Sequence, residues 1–420
     1  MKTEKSDKNL HPAIFSRLPI FDSQKNLWGY ELIYSSDEGK QSPGPGRGDR
    51  ITPELISGTC LALEQTMDRG QKIMVNFSRN NLLKDIPYTL PPGRTAIKIM
   101  DPASLSDSHI QALNRLQKDG YQMTVAWIKD HRVCPTVFGQ TDIICMDISN
   151  RALPDLVDVC RKATSYGSEM LASRVDSKTG FDICRRAGFS FFQGSFFKQP
   201  EDIPVKKVLS GTISKFALMK AIEQKDPDFS VLTTAIQADV AISFRLLSYL
   251  NSASFGFQRK VDSIKDAITM LGWHNLRTWL RVVLLAEVSE NRHSSELIFL
   301  SAQRGKFLEQ IGLSHDFWGF DPDSLFLLGM FSLLDALLNQ PMTEVVKYLP
   351  LTDKFKGALC MANNNEYVPL LKLANYFEEA AFEQSDIMTN QLGLDTTKTR
   401  QAHRIAIDWA NKLSEIHSKY

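Results

Sequence analysis

The feature that most restricts this chain is a change of hydrophobic period near residue 200. Before that point, short apolar runs alternate with segments of helical period. The apolar runs lie at 14–22, 28–34, 73–77, 96–100, 123–127, 143–148, 170–175 and 189–197. Helical patterns at 53–68, 106–118, 154–164 and 178–187 separate several of them. Strands alternating with helices of this length predict a βα repeat around a mostly parallel sheet. The repeat is long enough for a (β/α)₈ TIM-like barrel, whose chemistry is expected at the C-terminal ends of the strands.

After Pro200 the period is helical. Phe244, Leu247, Tyr249 and Leu250 are followed by Ile264, Ile268 and Leu271, then by Leu276, Trp279, Leu280, Val283 and Leu284. That spacing predicts an all-helical second half punctuated by Gly272, Gly312 and Pro341. A chain of 420 residues exceeds one ordinary core. The expected organisation is a flexible N-terminus over 1–11, a barrel over 12–200, a polar, proline-flanked linker over 201–206 and a helical domain over 207–420.

Composition narrows the function class. A net charge of +1 argues against binding to nucleic acid through bulk charge and leaves only a local basic patch for it. The lysine-rich start lacks the apolar core of a secretory signal, and the most apolar run, 282–286, is far too short to span a bilayer. A cytoplasmic location without membrane association is therefore expected. The six cysteines form no C-x-x-C pair and read as free thiols. The glycine- and proline-rich patch from Ser42 to Gly48 lacks the Gly-Lys-Ser/Thr ending of a phosphate cradle and reads as a loop.

Several motifs of the first half resemble EAL domains, the cyclic-di-GMP phosphodiesterases. Leu18-Pro-Ile-Phe-Asp22 with Gly29-Tyr-Glu-Leu-Ile33 is similar to their opening. Val75-Asn76-Phe77-Ser78 is similar to their second-strand motif, and Phe192-Gln193-Gly194 with Phe197 and Pro200 to their closing one. The resemblance implies a barrel that, in active members, holds two divalent cations with hard oxygen ligands and activates a water for attack on phosphorus.

Compared with that pattern, Glu31, Asn76, Asp147 and Gln193 are retained. Lys98 replaces a glutamate ligand, Ala126 and Trp127 stand for an Asp-Asp pair, and Cys145 for the catalytic lysine. Ser173 replaces a glutamate, and Ser35 an arginine that helps hold the nucleotide. A lysine ammonium about 4 Å from a divalent ion is repelled by roughly 8 kcal/mol at an effective dielectric near 20. With carboxylates lost as well, no catalytic residue and no metal site is expected. The retained polar groups are then expected to tie strand ends together, or to line a metal-independent pocket.

The second half resembles the HDOD family, a non-catalytic relative of the HD phosphohydrolases. The resemblance lies in the run from Leu246 through Asn251-Ser252 to Gly256, and in the helix from Val261 to Gly272. Gly329 to Leu338, followed by Pro341-Met342, is similar to the form found behind EAL domains. Where HD enzymes carry Gly-x-x-His-Asp, this chain has Gly329-Met-Phe-Ser332-Leu333. A His315-Asp316 dipeptide lies outside the helical pattern and reads as a capping or solvated pair. His274, His293 and His403 read as ordinary surface or core residues. Gly272-Trp-His-Asn275 suggests a helix-turn-helix, but Arg277 and Arg281 share their helix with a core-type apolar stripe, so no direct DNA binding is expected.

The resulting expectation is a cofactor-free, non-catalytic signalling regulator in cyclic-di-GMP, motility or biofilm control. It would act on another signalling or regulatory protein, with Phe255, Phe257 and Trp318 as candidate contacts. A second reading is a cyclic-di-GMP receptor without hydrolysis, against which Ser35 counts. A third is a residual phosphodiesterase.

Overall fold

The computed structural model describes residues 14–35, 70–102, 105–127, 139–149, 153–200, 269–287, 294–315, 319–349 and 351–417, with isolated positions elsewhere. The expected N-terminal tail, the linker and the 53–68 helix fall outside these residues, apart from Met67.

Eight strands close a barrel in sequence order: β1 (Ile14–Asp22), β2 (Leu27–Ser35), β3 (Lys72–Asn76), β4 (Thr95–Ile99), β5 (Gln122–Ala126), β6 (Ile143–Asp147), β7 (Glu169–Ser173) and β8 (Phe191–Gln193). From β2 to β8 each strand runs parallel to the next, whereas β1 is antiparallel to both β2 and β8. The reversal follows from the connection. Only a tight turn joins β1 to β2, too short for the crossover a parallel pair requires. The Asp22 carboxylate accepts the backbone N–H groups of Gln24 and Asn26, each at 2.8 Å, and fixes that turn.

The last strand is shorter than its apolar run. After Gln193 the chain turns at Gly194, where only glycine fits, because a Cβ there would lie 2.3 Å from the Val175 carbonyl oxygen. Residues Ser195–Lys198 then form a 3₁₀ turn whose Phe196 and Phe197 pack on Phe21.

Helices α1 (Arg79–Leu83), α2 (Asp107–Lys118), α3 (Leu153–Ser165) and α4 (Lys178–Ala187) lie between the barrel strands. Ser106 and His109 close a capping box on α2, and Ser177 caps α4 by accepting from the Gly180 N–H. The barrel interior has an apolar floor of Ile20, Met74, Ala96, Ile143, Leu171 and Phe191.

The C-terminal region is helical: α5 (Trp273–Glu287), α6 (Ser294–Ser314), α7 (Pro322–Phe331), α8 (Leu334–Leu338), α9 (Met342–Val345), α10 (Asp353–Leu359), α11 (Val368–Glu378), α12 (Phe382–Gln391) and α13 (Thr396–His417). Gly272, at φ +75°, and Pro341 stand at helix boundaries as expected. Gly312 does not; it lies inside α6, where a side chain would press on Leu325 and Pro322 of the neighbouring segment. Its smallness serves packing rather than termination. The same holds where α6 crosses α7, since a Cβ on Gly329 would meet the Arg304 carbonyl at 2.5 Å.

The barrel and the helices share one apolar core. Phe21, Tyr30 and Leu32 belong to the same buried cluster as Leu300, Phe307 and Phe377. Strand β1 packs directly on α11 and α13.

Candidate functional site

Alternation along the parallel strands points Asn76, Lys98, Thr124, Cys145 and Gln193 into the barrel above its apolar floor. Glu31 on β2 is the hub. Its Oε1 accepts a hydrogen bond from Lys98 Nζ at 2.7 Å and one from Asn76 Nδ2 at 3.2 Å, and its Oε2 accepts Gln193 Nε2 at 3.0 Å. Glu31 is 2% exposed and Lys98 6%, so this ion pair is out of water.

Burial alone would discharge Lys98, but the neighbouring Cys145 and Glu31 more than offset it and hold the amine charged. Burial pushes the Cys145 thiol up, against the opposing pull of Lys98. Cys145 also hydrogen-bonds Ser173. Glu31, Asn76, Lys98, Cys145, Ser173 and Gln193 therefore form one network.

Asp147 does not join it. Its carboxylate is half-exposed, accepts Ser149 N–H at 2.8 Å and Oγ at 2.5 Å, and lies 3.5 Å from Arg174. Trp127 donates its backbone N–H to the Cys145 carbonyl at 2.7 Å and packs on the core, while Ala126 ends β5 beside it. Ser35 pairs with Ile14 at the end of β2.

These residues do not fit a pair of divalent cations. Both oxygens of Glu31 are committed to donors, one of them the Lys98 ammonium at 2.7 Å. Asn76 Oδ1 is buried without a hydrogen-bond partner, a single neutral oxygen where two such ions require several carboxylates.

In the helical region the fold brings together His274, Glu309 and Asp323, a grouping that sequence spacing does not reveal. His274 lies 3.8 Å from Glu309 Oε1 and 3.5 Å from Asp323 Oδ1. However, Lys306 is paired with Glu309 and Arg277 with Asp323. Two carboxylates already balanced by two fixed cations make a structural ion cluster rather than a metal centre, because a divalent ion would add uncompensated charge. Arg281 is buried and makes a bidentate pair with Glu223 at 2.6 Å, so neither arginine of this helix is free for a phosphate backbone.

Ser332, at the position of the HD dipeptide, caps α7. Its hydroxyl donates to Gly329 O at 2.6 Å and accepts from Arg304 at 3.0 Å. His315 lies just past α6 and accepts the Asp395 N–H at 3.1 Å, near the start of α13. Phe255, Phe257 and Trp318 lie outside the described residues.

The largest feature missed from sequence is the contact between barrel and helices. Arg17 pairs with Glu296 at 3.3 Å, its guanidinium over the rings of Tyr30 and Phe299, and Tyr30 Oη donates to the same carboxylate at 2.8 Å. Ser16 Oγ donates to Phe377 O at 2.6 Å, with His403 Nε2 3.4 Å away. Lys198 reaches Glu378 at 2.9 Å, and Arg304 grips the same carboxylate. A cleft of about 390 Å³, lined in part by Leu18, Gln193, Phe197, Lys198, Leu300 and Glu378, lies along this contact. Charged residues at apolar-strand positions, such as Arg17 inside β1, were the available signal.

The HDOD domain family matches residues 213–304. Over nearly its full length the chain is similar to the cyclic di-GMP phosphodiesterase CdgJ of Vibrio cholerae, at 28% identity over 420 residues, covering 98% of this chain and 95% of that one. It is also similar to the uncharacterized protein YuxH of Bacillus subtilis, at 26% identity over 409 residues, covering 95% and 98%. Among solved structures, the EAL domain of Mycobacterium smegmatis DcpA aligns over 43% of this chain and 90% of its own, at 15% identity and a TM-score of 0.37.

The chain thus consists of an EAL-like barrel followed by an HDOD domain, homologous to signalling proteins of that architecture. At the mouth of this barrel Lys98 and Glu31 form a buried ion pair. Among the described residues no helix is long and apolar enough to cross a membrane.

Proposed function

We propose that this protein is a non-catalytic regulator in cyclic-di-GMP signalling, with motility or biofilm formation as its output, acting through contacts of its helical domain with another signalling protein. The observation that supports this reading most directly is the buried Lys98–Glu31 pair at 2.7 Å. It uses the first glutamate of the EAL motif for structure. The shared core supports a barrel that orients the helices.

The relative named as a phosphodiesterase supplies the competing reading. The test is turnover of cyclic-di-GMP by the purified chain with Mg²⁺ or Mn²⁺. No product above a heat-killed control is expected. Hydrolysis abolished by Glu31→Ala would overturn the proposal, while binding without turnover would favour a receptor.

A further inference from the structure

The two degenerate sites are not isolated from each other. Gln193, at the barrel mouth, and Lys198 lie on one short segment, braced by Phe196 and Phe197 against Phe21 and Phe181. Lys198 Nζ donates to Glu378 Oε2 at 2.9 Å and to Asn375 Oδ1 at 3.1 Å, both on α11. Arg304 on α6 binds the same two acceptors, at 2.8 Å to Glu378 Oε2 and 3.2 Å to Asn375 Oδ1. Its remaining donor reaches Ser332 Oγ at 3.0 Å, at the HD position.

We propose that this chain of contacts, from the β8 end through Lys198, Glu378 and Arg304 to Ser332, is a built-in relay that couples the posture of the barrel mouth to the α7–α8 segment of the helical domain. Glu378 and Arg304 are nearly fully buried, and Lys198 almost so. Desolvated charges cannot drift apart without leaving one of them uncompensated, which makes the arrangement stiff. The crossing of α6 and α7 adds rigidity where the relay needs it. With no side chain at Gly329, the α7 backbone rests on Arg304 itself. Arg304 thus holds the C-terminal end of α7 twice, its backbone against Gly329 and its guanidinium on the capping Ser332. A cleft lined in part by Gln193, Lys198 and Glu378 runs beside the middle of the relay. Lys198, Glu378, Arg304 and Ser332 act here as positioning residues.

This inference deepens the regulatory reading and rests on it, but its test does not use catalysis. Amide hydrogen exchange is measured on the full chain for the wild type, Lys198→Met, Lys198→Arg and Ser332→Ala, with Ile99→Ala as a barrel variant away from the relay. Lys198→Met is expected to raise exchange across Leu334–Leu338 by about tenfold more than elsewhere in the helices, Lys198→Arg to restore it, and Ile99→Ala, which truncates the shared core, to raise exchange without favouring that segment. By reciprocity, Ser332→Ala is expected to raise exchange at Phe191–Gln193. Changes confined to the immediate neighbours of each substitution, or a rise at Leu334–Leu338 in Lys198→Met no larger than elsewhere in the helices, would overturn the relay. Turnover of cyclic-di-GMP would defeat the regulatory reading and leave this coupling to stand or fall on the exchange data.

Discussion

Lys98 Nζ lies 2.7 Å from Glu31 Oε1 inside the barrel mouth, so that a basic residue on β4 satisfies the acidic residue that the EAL motif keeps on β2. In a water-excluded site each charge needs the other. Removing one leaves a buried charge without compensation, which costs about 3–5 kcal/mol, whereas removing both together costs much less.

Lys98→Met is therefore expected to destabilise the chain by about 3 kcal/mol. Adding Glu31→Gln is expected to recover about 2 kcal/mol of that loss. Urea unfolding of the two single variants and the double variant measures this directly. Additive losses would mean that the pair contributes nothing as a pair.

The interface with β1 carries a pH dependence. Burial is the main cause holding His403 down at about 4, against the opposing influence of Glu378. Its folded value lies below its unfolded one, so its contribution is fully present above pH 6.5 and is lost as the pH falls toward 4. Burial raises Asp335 to about 6, which works in the opposite direction, its contribution being present at low pH and lost as the pH rises through 6. The difference between variants isolates the histidine. From pH 7 to pH 4 the stability of the wild type relative to His403→Phe is expected to fall by about 3 kcal/mol. A constant difference would place His403 in solvent.

Cutting the chain exposes the shared core. Fragments 1–200 and 206–420 separate Arg17 and Lys198 from Glu296 and Glu378. Each fragment is expected to melt below the intact chain, and the two to associate on mixing, as read by calorimetry and size-exclusion chromatography. Fragments that melt at the intact temperature and remain apart would show that the contact is dispensable.

The α6–α7 crossing tolerates no side chain at Gly329. Gly329→Ala is expected to destabilise by about 2 kcal/mol through backbone displacement. Gly357→Ala on α10, whose new methyl would meet Asn365 only at 3.4 Å, is expected to be neutral or to stabilise by up to about 1 kcal/mol through helix propensity. Thermal melts of both variants separate steric crowding from a general intolerance of substitution.

Hydrophobic period alone determined the larger plan: strand–helix alternation before residue 200 and helices after it. Both follow from local chemistry, the facing of side chains along a strand or a helix. The resemblance that sets Lys98 in place of a carboxylate ligand was open to reading for the same reason, since its motifs are contiguous in the chain.

Only the tertiary structure decided what the retained groups do. Glu31, Asn76 and Gln193 converge with Lys98 because barrel closure brings β2, β3, β4 and β8 to one mouth, whereas Asp147 turns out to Ser149 and Arg174. The place of Gly312 inside a helix and the clustering of His274 with Glu309 and Asp323 depend on chain paths that no local pattern encodes. The same is true of the join between barrel and helices. Arg17 meets Glu296 across 279 residues and Lys198 meets Glu378 across 180, and charges so far apart in the chain find each other only when the folded core brings them out of water together.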